Sequence, residues 1–172
     1  MREVLECCEL FAGLDPDDLA QFTAIAGRKA LENGQYLFLL GDPADRLYVI
    51  CSGQIETCFP ILISGAMRDL AVETRGRGEA LGWSTFVRPH RFTLSARAKG
   101  PVDVLALPRA EIDRITAERP ALGCRLTTRI SEMLGRRLLT MQALWARELQ
   151  RAVNQGRMME AAHSGPPSGG SA

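Results

Sequence analysis

From Tyr36 to Leu107 the chain is cut into short runs of β-forming residues, and nearly every break between them carries a glycine. The runs are Tyr36–Leu40, Leu47–Cys51, Ile55–Ile63, Leu70–Thr74, Thr93–Arg97 and Val102–Leu107. Gly41-Asp42-Pro43, Ser52-Gly53, Ser64-Gly65, Arg75-Gly76-Arg77-Gly78 and Lys99-Gly100-Pro101 separate them. Short strands at regular spacing with turn chemistry between them predict an antiparallel β jelly roll or barrel.

Helices are expected on both sides of this region. Residues 1 to 14 read as a short helix with Val4, Leu5, Cys8 and Phe11 on one side. Asp15-Pro16-Asp17-Asp18 is a helix start, with a capping aspartate, proline at the first helical position and acids in the first turn. Leu19, Phe22, Ile25 and Ala26 follow at helical spacing, and Asn33-Gly34 ends the run. Pro108 closes the β region; Arg109 to Glu118 reads as a short helix, and Pro120 opens a long one reaching about Gln155. The expected division is helices over 1–33, the β-barrel over 34–108, helices over 109–155 and a disordered, Gly/Pro/Ser-rich tail over 156–172.

Composition removes several function classes. A net charge of +1 gives no bulk attraction to nucleic acid or to an anionic membrane. The longest apolar run, Phe59–Ile63, contains a proline and is far too short to span a bilayer. Nothing near Met1 has the pattern of a signal peptide, so a cytoplasmic protein is the expectation. The five cysteines show no C-x-x-C spacing, and only two histidines are present. Neither a disulfide framework nor a metal site follows from that set. There is also no paired-carboxylate site, nucleophile motif or Walker-type loop, so the chain is not expected to be an enzyme.

The pieces in order resemble the cyclic-nucleotide-binding domain family, the sensor domain of catabolite-activator-type bacterial regulators. Leu10-Phe11-Ala12-Gly13-Leu14 is similar to the family's entry motif, and Gly34-Gln35-Tyr36-Leu37-Phe38 to its first strand. GDPADRLYVICSGQIE, residues 41 to 56, is the most specific piece. Gly41 and Gly53 read as turn geometry, which identifies the fold rather than a ligand site.

The resemblance places a phosphate-binding cassette at residues 78 to 98. In the family, a Gly-Glu pair there binds the ribose hydroxyl, an arginine pairs with the cyclic phosphate, and a small hydroxyl residue follows. Counted without gaps from Gly82, the glutamate position is Trp83, beside Ser84, and the arginine position is Phe92, with Arg91 just before it. Ser95 falls at the hydroxyl position and Ala98 at the closing alanine. A phenylalanine brings neither the charge nor the donors of an arginine fork. Arg91, one residue away on an extended segment, is expected to face the other side. The candidate site is therefore Gly82, Trp83, Ser84, Arg91, Phe92 and Ser95, and tight cyclic AMP binding is not expected. The ligand implied is a cyclic nucleotide or another small anion. Trp83 reads either as core filling the vacated pocket or as an aromatic wall for a flatter ligand.

In the long helix, Leu134, Leu138, Met141 and Trp145 fall at alternating four- and three-residue steps, a coiled-coil seam. Ile130, Met133, Leu144 and Leu149 widen that stripe and are expected to pack on the barrel. A homodimer through residues 121–155 follows. The family's regulators carry a helix-turn-helix domain after this helix; too few residues follow position 150 for one, so DNA binding by this chain alone is not expected. The sequence thus supports a stand-alone dimeric sensor with a degenerate pocket. The alternative is a ligand-free module that binds a partner protein through the cassette face or the long helix.

Overall fold

A computed structural model describes the backbone of residues 1–163 and the side chains of residues 1–155. It consists of α1 (Arg2–Cys7), α2 (Pro16–Ile25), strands β1 (Gly27–Leu31), β2 (Tyr36–Phe38), β3 (Arg46–Ile63), β4 (Ala66–Arg75), β5 (Ala80–Leu81) and β6 (Ser95–Pro108), then α3 (Arg109–Glu118) and α4 (Pro120–His163). The six strands form one antiparallel sheet of order β1-β6-β3-β4, with β2 on β6 and β5 on β3. This is a jelly-roll fold with flanking helices, although the hydrogen-bonded sheet does not close into a full ring.

The sheet departs from the sequence reading in two places. Ser52-Gly53 and Lys99-Gly100-Pro101 do not separate strands. β3 and β6 run through them, paired from Arg46↔Pro108 to Cys58↔Ser95, with register shifts at Ser52. Gly53 makes this continuity possible: at φ +80° its missing Cβ would stand 2.3 Å from the Pro101 carbonyl oxygen. The glycine lets the backbones cross at a bulge, which bends the strand pair without ending it. The second departure is β1. Residues 27–31 were expected to extend α2, but they pair with β6 from Gly27↔Ala106 to Leu31↔Val102. An available sheet edge overrides the local preference of Arg28-Lys29-Ala30.

Residues Met1–Ile130 form one compact unit, and the chain from Ser131 onward forms a second. In the first unit, Leu31, Tyr48, Ile50, Ile55, Phe92 and Val104 belong to one buried cluster inside the curved sheet. Phe11, in the turn after α1, meets Phe22 of α2 at 5.0 Å between ring centres, and Ile112 and Ile115 of α3 are buried. Leu122, Leu126 and Ile130 are buried at four-residue steps, so the first turns of α4 belong to this core. Asp18 takes a hydrogen bond from Arg119, at the break between α3 and α4.

Burial along α4 ends at Ile130. Leu144 and Leu149, expected to pack on the barrel, are exposed, while Ile130 is buried as expected. The helix also continues to His163 rather than ending near Gln155, and the rest of the expected tail, 164–172, lies outside the described residues.

Candidate functional site

The cassette begins with a turn that consumes its own acid. Glu79 accepts hydrogen bonds from Arg75 Nη1 at 2.6 Å and from the Gly76 N–H at 2.7 Å, and Arg75 Nη2 reaches Glu73 at 2.6 Å. Burial alone would lower the Arg75 pKa, but the bonds to Glu79 and Glu73 more than offset it and raise it. Glu79 therefore staples residues 75–79 together and has both oxygens engaged. Glu79→Ala is expected to lower unfolding free energy by about 1–3 kcal/mol, because a half-buried guanidinium loses a charged partner. Urea denaturation measures this, and an unchanged midpoint would contradict the staple.

Gly82 comes next, at φ +85°, and leads into a single 3-10 turn, Trp83–Thr85. A Cβ on Gly82 would stand 3.0 Å from both the Arg46 carbonyl oxygen and a Phe92 ring carbon, so the position is closed to larger residues. Thr85 Oγ1 donates to the same Arg46 carbonyl at 2.9 Å. The start of the cassette thus lies directly on β3 and on the Phe92 ring.

Phe92 is 4% exposed and stacks on Phe38 with ring centres 3.7 Å apart and planes 13° from parallel. Tyr48 completes the group, 5.8 Å from Phe38 and 6.5 Å from Phe92. Each such ring pair adds about 0.5–1.5 kcal/mol beyond its area burial. Burial, with Asp45 nearby, raises the Tyr48 phenol pKa, so at neutral pH it contributes no charge. Trp83, by contrast, is only half-buried and is not part of this stack. The ring inside the fold at the cassette is therefore Phe92.

The segment containing Phe92 is zipped to the loop after β2. Gly41 N–H donates to Phe92 O at 2.8 Å, Phe92 N–H to Asp42 O at 3.0 Å, and Ala44 N–H to His90 O at 2.8 Å. Alternation along this extended piece turns Arg91 outward as Phe92 turns in. Arg91 is exposed, and its Nη1 donates to the Gly41 carbonyl at 2.7 Å. Ser95 is buried, with Oγ accepting the Leu40 N–H at 3.0 Å. Ser84 is buried in the 3-10 turn. The structure thus brings Gly82 and Phe92 into direct contact, and directs Arg91 and Ser95 to the loop at 40–41. Sequence reasoning missed Phe38, Tyr48 and Glu79. For the two rings the available signal was the placement of aromatics on inward positions of strands.

Comparison with known proteins is decisive at this point. Residues 28–119 match the family described as the cyclic nucleotide-binding domain. The chain belongs to that family. Among solved structures, the N-terminal domain of a transcriptional regulator from Streptomyces coelicolor superposes with a TM-score of 0.67 at 28% identity, covering 80% of this chain and 94% of that one. A CRP-like cAMP-activated global transcriptional regulator of Mycobacterium tuberculosis is 25% identical over 79% of this chain and 59% of its own length. Glutaminase 1 of Bradyrhizobium diazoefficiens is 24% identical over 83% of this chain, which spans only 22% of that enzyme. Residues 78–98 lie inside the matched stretch, and the chain has an antiparallel sheet with a long helix after it. No helix among the described residues is long and apolar enough to cross a membrane.

Proposed function

We propose that this cyclic-nucleotide-binding-like domain is a cytoplasmic regulatory module, not an enzyme, that dimerises through residues 121–155 and does not bind cyclic AMP tightly. The observation carrying this reading is Phe92, a buried ring stacked on Phe38 where the family resemblance calls for a phosphate-binding arginine. An anion entering there would lose water and meet aromatic faces rather than donors, which is strongly unfavourable. Between residues 120 and 155, six arginines stand beside two glutamates, and Arg151 bonds Glu148 at 2.6 Å.

A second reading, a ligand-free module acting through a partner protein, is favoured by the commitments of the remaining polar groups. Glu79 binds Arg75, Arg91 binds Gly41, and Ser95 binds Leu40. Native mass spectrometry of freshly purified protein separates the two. A co-purifying small anion supports a sensor with altered ligand chemistry; a bare protein mass at every charge state supports the interaction module.

A further inference from the structure

Beyond its last pair with β6, Cys58↔Ser95, the β3–β4 hairpin continues as a two-stranded arm paired from Phe59↔Leu70 to Ile63↔Ala66. The arm exposes Phe59, Leu62, Met67 and Leu70. It is tied back to the body, because Tyr36 Oη donates a hydrogen bond to the Asp69 carboxylate. The Tyr36 ring is itself held, with the Arg97 guanidinium 6.0 Å above it and Arg97 bonded to Glu56 at 3.3 Å.

Tyr36 stands at one end of β2, and Phe38 stands at the other. Phe38 carries the stack on Phe92 and so senses the inside of the cassette. Both residues are held on adjacent positions of β6, Tyr36 opposite Arg97 and Phe38 opposite Ala96, with a register irregularity between them.

We propose that β2 is a relay between the cassette and the arm: Phe38 follows the Phe92 ring, and the Tyr36–Asp69 bond is the latch that this movement holds or releases. With the latch made, the arm lies fastened to the body. With Phe92 displaced, by a ligand or by a conformational change in the cassette, the arm frees its apolar residues. Tyr36 and Asp69 are positioning residues in this device. The proposal holds whether the cassette takes a ligand or a partner, since only the position of the Phe92 ring enters it.

Hydrogen–deuterium exchange on the full chain tests it, with arm amides read relative to those of residues 102–107 in β6. Tyr36→Phe, which removes one exposed hydroxyl, is expected to speed arm exchange about two- to tenfold, the range of one net hydrogen bond. Asp69→Leu should match it. Unchanged arm exchange in both would overturn the latch. Phe92→Leu tests the relay: it should speed arm exchange in the wild-type background and add nothing in the Tyr36→Phe background. An equal further increase in both backgrounds, or a rise shared equally by β6, would overturn the relay.

Discussion

Cyclic AMP titrated calorimetrically into the wild-type chain is expected to produce no saturable heat up to millimolar concentrations. The family's glutamate and arginine each make buried polar contacts whose loss costs about 2–5 kcal/mol, roughly 30- to several thousand-fold in affinity. The family resemblance places Trp83 and Phe92 at those positions, and Arg91 faces outward onto Gly41. The double replacement Trp83→Glu, Phe92→Arg should bring binding into the measurable range. The two changes are not equivalent. Trp83 is half-exposed, whereas Phe92 is 4% exposed, so the arginine carries most of both the gain and the cost. Without ligand, a guanidinium against Phe38 and Tyr48 should lower the melting temperature. Cyclic AMP should then raise it again by pairing with that charge. Saturable binding by the wild type would sink the filled-pocket reading. Absence of binding by both proteins would leave the interaction module ahead, because the cassette backbone itself would no longer present the site.

The contrast between Trp83 and Phe92 shows how far the sequence can be read. Strand positions were legible because β-formers alternate with turn residues, whereas the cassette frame rests on the intervals of Gly82, Ser95 and Ala98 alone. Turn chemistry misled at Ser52-Gly53, where glycine serves a bulge between continuous strands rather than a hairpin. β1 was hidden because nothing in Arg28-Lys29-Ala30 signals a strand until β6 is beside it. The site was harder still. Arg91 looks like an anion-site residue in the chain, yet it is spent on structure. The partner of Arg91 lies fifty residues away in sequence, at a backbone carbonyl that no periodicity reveals. Local spacing identifies the face on which a side chain emerges. It does not identify the group that the side chain will meet there.

In sedimentation analysis the wild-type chain should behave as a dimer, and Leu138→Asp should convert it to a monomer. Leu138, Met141 and Trp145 are 59%, 50% and 71% exposed in the single chain, at the three- and four-residue steps of a seam. Few features of a lone helix would keep so much apolar surface in water, and a partner helix covers it directly. In a parallel pair related by a twofold axis, each Leu138 faces its counterpart. Aspartate there buries two like charges, at a cost of several kcal/mol each, enough to weaken association by three or more orders of magnitude. Leu139→Asp is the matched control. Leu139 is 67% exposed, but it lies about 100° around the helix from Leu138 and outside the seam, so that variant should remain dimeric. If Leu138→Asp stays dimeric, the interface is not this seam. If both variants dissociate, the contact is a broad apolar surface rather than a coiled coil. Because the buried steps of α4 end at Ile130, neither aspartate disturbs the core of the first unit, and its melting should be retained in both variants.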